Sequence, residues 1–237
     1  MAEGKTTQYL KYAIGEIVLL VIGILIALQI NNWNEQQKLT AKRQEILIGM
    51  TKDLKQDIAS HDRMIAIYKN RLEFFGRQLQ TTDFSSTSVD TLFIIFDAST
   101  GAHKVVDRSY QKAKNIGIVQ VCEDDSLSKR IDQYYTQTAE YTKILFEYEF
   151  HMTQKQNDFW MASQEGLEFD FGSSVQIPIM QDSTERRMNA VALITSPLGR
   201  NHIKSECMIK EMMLGYNMRA KETAQTLLKD LEAYLEK

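Results

Sequence analysis

Proline is nearly absent. Only Pro178 and Pro197 occur in 237 residues, and both lie late. A proline removes a helix N–H and clashes with the preceding turn, so its scarcity predicts long helices. Cysteine is as scarce. Cys122 and Cys207 are the only two, which excludes a disulfide-dense scaffold, and no CxxC or zinc spacing is present. They read as separate free thiols in a helical core, with a disulfide in an exported domain as the alternative. A basic excess is missing too. Lys and Arg number 28 against 31 Asp and Glu, a net charge of −3. That leaves no electrostatic footprint for nucleic acid.

Catalytic signatures are also missing. There is no Walker loop, no GxSxG and no Rossmann fingerprint. His61, His103, His151 and His202 lie far apart in the chain, so HExxH and repeated ExxH are excluded. Carboxylates sit four residues from three of them, in Asp57/His61, Glu147/His151 and His202/Glu206. Such pairs share a helix face, but a metal site needs several converging ligands. They read as solvated or rim pairs, and His61 as a histidine at the core rim. Glu123-Asp124-Asp125 suits a helix start, where acids favour the dipole, and lacks the oxygens and glycine of a calcium loop. No catalytic, cofactor-binding or metal residue is assigned, no cofactor is expected, and the chain does not read as an enzyme.

What is present begins at residues 9–34, YLKYAIGEIVLLVIGILIALQINNWN. The span from Tyr12 to Ile30 is almost wholly apolar, and a bilayer core needs roughly 20 residues of helix. Tyr9 and Tyr12 at one end and Trp33 at the other match interfacial aromatic belts. Ala27-Leu28-Gln29-Ile30 is a poor cleavage site, so the segment reads as an uncleaved anchor. Glu16 is its one charge. At about 100° per residue, Glu16, Gly23, Ala27 and Asn34 fall within roughly 20° of one line. Gly23-x-x-x-Ala27 is a small-xxx-small pair that lets backbones approach closely. The opposite face, with Val18 and Leu25, suits lipid. Glu16 therefore reads as an interface acid. The alternative is that it snorkels to the headgroups near Lys11. Lys5 and Lys11 on one side nearly balance Lys38, Lys42 and Arg43 on the other, so charge does not fix orientation.

About 200 residues remain for a soluble part, enough for one core. Residues 35–80 carry a heptad-like seam of Leu47, Met50, Leu54, His61, Ile65, Tyr68, Leu72, Phe75 and Leu79, broken near Asp57 and Ile58. This helix is expected to continue from the anchor. Residues 81–87 read as a loop, and Ser88 as the cap of a short helix, Val89–Ala98. Asp107–Ile116 reads as another short helix closed by Gly117, and Ile118–Val121 as a short extended piece. A second long helix is expected over Ser126–Ser163, with Leu127, Ile131, Tyr134, Thr138, Tyr141, Leu145, Tyr148 and Met152 inward. Residues 164–187 read as irregular. Ser196-Pro197 opens a third long helix, running to Leu235 with Ile209, Met212, Tyr216, Ala220, Leu227, Leu231 and Tyr234 inward. Met208, Met212, Met213 and Met218 read as adaptable core filling. The fold expected is all-α, one transmembrane helix continuing into an antiparallel long-helix bundle.

Tyr12-Ala13-Ile14-Gly15-Glu16-Ile17 and Gly23-Ile24-Leu25-Ile26-Ala27-Leu28-Gln29-Ile30-Asn31-Asn32-Trp33-Asn34-Glu35 resemble the N-terminal signature of a large family of uncharacterised membrane proteins in Bacteroidota. A weaker likeness continues through Tyr110, Lys114-Asn115-Ile116-Gly117, Leu127, Ile131 and Tyr134-Tyr135, where Asn115-Ile116 replace small polar residues. The resemblance implies a Gram-negative inner membrane, one N-in pass and a periplasmic helical domain. It implies no activity. Residues 1–11 would then be a short cytoplasmic segment, 12–33 the transmembrane helix and 34–237 the periplasmic domain. The expectation is a structural or interaction protein that forms a homo-oligomer. The lipid bilayer and other membrane proteins are its further partners. An ion- or proton-pathway subunit using Glu16, or a periplasmic ligand sensor, are the alternatives.

Overall fold

The computed structural model describes residues 3–96, 99–101, 103–162, 166–169 and 178–236, with side chains from residue 15 onward. Among these residues every regular element is helical and no strand occurs. The first helix, α1 (Glu3–Gln80), runs 78 residues without a break, about 117 Å at 1.5 Å per residue. No proline interrupts it, and Asn31, Asn32 and Asn34 continue the helix rather than end it. The apolar N-terminal segment and the body thus share one rod.

The buried seam of α1 is Leu47, Met50, Leu54, Asp57, His61, Met64, Tyr68 and Phe75. Its spacing is heptad throughout. The expected break at Asp57 is absent, because Asp57 itself occupies the seam with no exposed surface. Met64 takes the core position expected of Ile65, which is only half-buried.

The last helix, α7 (Pro197–Leu235), returns along α1. Rising numbers on α1 meet falling numbers on α7. Lys55 pairs with Glu232 at 2.8 Å and Asp62 with Lys221 at 2.7 Å. Farther along, His61 bonds Asn217 and the Leu79 carbonyl accepts from Arg200. Ser196 caps α7 by accepting from the Gly199 N–H at 3.0 Å, with Pro197 in the first turn, where its missing N–H has no cost. Met213 is the core methionine, whereas Met212 faces outward. The other helices lie along this pair: α2 (Val89–Phe96), α3 (Arg108–Asn115), α4 (Asp125–Gln133), α5 (Ala139–Ala162) and α6 (Ser183–Thr195). Ser88 Oγ accepts from the Thr91 N–H at the start of α2. α3 ends on Gly117 at φ 77. There Ile118 N–H reaches the Ala113 carbonyl and Gly117 N–H the Lys114 carbonyl, a Schellman closure that needs a left-handed residue.

Two sequence expectations are corrected. The second long helix forms, but Tyr134–Thr138 is a π-helical segment joining α4 to α5. The wider turn absorbs one residue and shifts the phase. Tyr134 and Tyr135 are buried within it, and beyond it Thr142, Glu149, Thr153, Gln156 and Trp160 are buried, while Tyr141 and Tyr148 are exposed. The stretch expected to be irregular, 164–187, lies partly outside the described residues, and from Ser183 it is α6. Asp182 caps that helix by accepting from the Thr184 and Glu185 N–H groups at 2.9 and 3.1 Å.

Three apolar clusters result. Near the anchor, Leu47, Met50 and Leu54 pack with Leu127, Ile131, Leu227 and Leu231. Midway, Met64 and Tyr68 meet Ile209 and Met213. At the far end, Phe75, Phe96, Trp160 and Ile203 form an aromatic core. Each fully buried large side chain contributes about 1.5–3 kcal/mol. Cys122 lies in the first cluster and Cys207 against the third, and both are free thiols.

Candidate functional site

The residues singled out from sequence all lie on α1. Glu16, Gly23, Ala27, Asn34 and Trp33 are exposed, and a methyl group added at Gly23 would meet nothing. Residues 15–38 are exposed without exception. α1 is the described helix long and apolar enough to cross a membrane. Tyr9 and Tyr12 fall on its backbone, but their side chains lie outside the described residues.

The expected histidine–carboxylate pairs do not form. His61 bonds Asn217, Glu147 lies 3.9 Å from Lys143, and Glu206 reaches Lys210 instead of His202. His202 takes the Gln156 amide oxygen and stacks on Phe159. His61 and His202 take partners from other helices, whereas Glu147 and Glu206 face lysines one turn away on their own helices.

Two buried polar groups stand out. At the first, Lys210 Nζ donates to Glu149 Oε1 at 2.8 Å and the Ser99 carbonyl at 2.8 Å, and pairs with Glu206 Oε1 at 3.1 Å. All three ammonium protons are then used. Tyr68 donates to the other Glu149 oxygen at 2.8 Å. The Lys210 and Glu149 side chains are 1% and 0% exposed. Burial pushes the Glu206 carboxyl up, and Lys210 opposes the shift. The cavity beside Glu206 holds only about 10 Å³, too little for more than one water. This cluster holds helices together and has no room for a reactant.

The second group sits nearer the anchor. Asp57 accepts from the Val106 N–H and the Tyr134 hydroxyl, both at 2.9 Å. Asp53 accepts from the Ser109 N–H at 2.8 Å in the first turn of α3, capping that helix from outside. Two α1 carboxylates thus anchor the segment leading into α3. Burial raises the Asp57 carboxyl to about 6. One turn on, His61 and His103 meet edge to face with ring centroids 4.4 Å apart. Burial lowers both, His103 to about 4, with the neighbouring His61 and Arg63 adding to its shift.

Beside this pair opens a cleft with a volume of about 1180 Å³. Residues 100–101 and 103–107, α3 and the π segment with α5 wall it. Tyr135 and Thr136 enter it from the π segment, His103 and Val105 from the loop, and Ala139, Thr142 and Phe146 from α5. Three nearby buried atoms meet no partner among the described residues: the Tyr135 hydroxyl, His103 Nε2 and His61 Nε2. Each such atom costs about 1–3 kcal/mol. Among the described residues no group of His, Cys, Asp and Glu side chains converges as a metal ion needs.

Sequence reasoning missed the cleft. The tyrosine pair at 134–135 was visible, but both face inward only because the π segment widens the turn. Asp57 had a readable signal, since it alone keeps the heptad spacing intact. The His61–His103 meeting had none, as the partners come from separate elements.

A family described as a family of unknown function (DUF6090) matches residues 16–173. The matched stretch takes in the exposed face of α1 from Glu16, the loop at 99–107 and the π segment. No curated protein and no solved structure matches the chain. With well over half of its length matched, the chain belongs to this family of unknown function.

Proposed function

We propose that this is a single-pass inner-membrane interaction protein, carrying an antiparallel helical bundle in the periplasm and assembling as a homo-oligomer through one face of α1. The observation that carries the reading is the uninterrupted exposure of residues 15–38. An apolar helix of that length has no place in water, and nothing among the described residues covers it. Lipid suits the Val18 and Leu25 face. The Glu16, Gly23, Ala27 and Asn34 face carries a carboxylate, which is costly against acyl chains, and small residues that let a second helix approach. A second copy supplies the same stripe, so the contact is self-complementary. The unbroken helix holds the body in fixed register with that contact.

Disulfide trapping in native membranes tests this. Ala27→Cys should cross-link rapidly between copies, while Val18→Cys and Leu25→Cys should not. Equal cross-linking at all three positions would mean random collision and would remove the proposed face. The ion-pathway alternative uses the same carboxylate but requires its proton to exchange. Glu16→Gln would then abolish conductance while leaving assembly intact.

A further inference from the structure

The cleft combines features that a merely structural groove does not need. Tyr135 is 4% exposed and lines the cleft, yet its hydroxyl has no partner. Its ring is held rigidly, stacked on Tyr110 with centroids 5.0 Å apart and edge-on to Tyr134 at 5.2 Å. The π segment that turns it inward sacrifices regular helix geometry, and such single-turn bulges concentrate at functional sites. His103 lines the same cleft with Nε2 buried and unpartnered.

The tautomer of His61, which packs against His103, can be worked out. The Asn217 amide nitrogen donates to the Met213 carbonyl at 2.8 Å. Its oxygen therefore faces His61 Nδ1, 2.9 Å away, and that nitrogen carries the proton. His61 Nε2 is then an acceptor. Burial keeps both rings uncharged at neutral pH, so the depth of the cleft offers no cation to an anionic group. At the rim Lys104, Lys114 and Lys143 face Asp107, Glu140 and Glu147, and the charges cancel. Between depth and rim the walls are Val105, Ala139, Phe146 and Phe150.

We propose that this cleft binds an uncharged, largely apolar small molecule bearing a hydroxyl, which bonds the Tyr135 hydroxyl and His103 Nε2. A hydroxyl fits because it donates and accepts at once. A carboxylate fits badly, because the depth of the cleft offers it no cation. The volume accommodates a molecule larger than one aromatic ring. The site is independent of how copies meet in the membrane.

The test is hydrogen exchange on the full chain in lipid nanodiscs, titrated with 2-naphthol. Protection over residues 103–107 and 134–142 should rise and saturate. Tyr135→Phe keeps the stacked ring and removes only the hydroxyl, so half-saturation should move up about tenfold, as loss of one hydrogen bond allows. The same variant, free of probe, should melt no lower than wild type, because the hydroxyl bonds nothing there. A hydroxyl with a purely structural role would lower the melting temperature and leave the titration unchanged. Ala139→Trp fills the cleft and should abolish protection. Naphthalene should protect more weakly and 2-naphthoate not at all. The proposal is overturned if wild type shows no saturable protection, if Tyr135→Phe titrates as wild type does, or if Ala139→Trp is still protected. Should Ala139→Trp fail to fold, the Tyr135→Phe comparison decides alone. None of these outcomes bears on assembly through α1.

Discussion

Single residues in the body carry charge where apolar side chains are expected, and Asp57 is the clearest. Burial raises its carboxyl from 3.8 to about 6, helped by Asp53 and Asp107, while the Val106 N–H and Tyr134 hydroxyl oppose the rise. The folded state therefore holds the proton more tightly than the unfolded chain. Between pH 4 and 6 it binds more protons, so stability falls as pH rises through that window. At neutral pH the charged form costs about 1–3 kcal/mol. Asp57→Asn removes this dependence, and its melting temperature should gain on wild type from pH 4.5 to 6.5. Parallel melting curves across that range would refute the assignment. Lys210 is the opposite case, a cation held between two buried carboxylates. Lys210→Met strands both and should cost about 3–5 kcal/mol in denaturant unfolding, with Glu206→Gln in the same background recovering part of the loss. Little of this was legible in the sequence. Glu206 and Lys210 look like an ordinary surface pair one turn apart, and Glu149 comes from 61 residues before Lys210. No local pattern marks a charge as buried when its partner lies on another helix.

Elements were more legible, for physical reasons that differ between helices. The length of α1 follows from the lack of breakers, and the start of α7 from the Ser196–Pro197 cap. The phase of α5 was not legible, because a π turn leaves no residue signature and moves every later side chain by one position. α6 had a signal, since Asp182 followed by Glu185 is a capping pattern, but the glycines and serines before it masked the onset. The joint between α6 and α7 is tight. A Cβ at Gly199 would run into the Leu193 carbonyl oxygen, a backbone atom that cannot swing aside. Gly199→Ala should therefore destabilise the chain by about 1–3 kcal/mol. Gly76 lies in α1 with open space around it, so Gly76→Ala should stabilise by about 0.5–1 kcal/mol. Chemical denaturation of the two variants checks both signs, and equal effects would show that the joint is loose.

At the scale of the whole molecule, α1 joins three regions: an exposed apolar segment, a cluster of buried charges and a cleft. His61 and Asp57, which contact His103 and Val106 of the loop beside the cleft, belong to the same helix as Glu16. The most direct measurement is the mass of the full-length chain in mild detergent, by light scattering that subtracts the micelle. Wild type should give a discrete multiple of the 27.4 kDa chain. Glu16→Ala and Gly23→Leu should shift it toward one copy without changing the helical content of the body. A monomeric wild type, or a multiple unmoved by both substitutions, would contradict the shared membrane face.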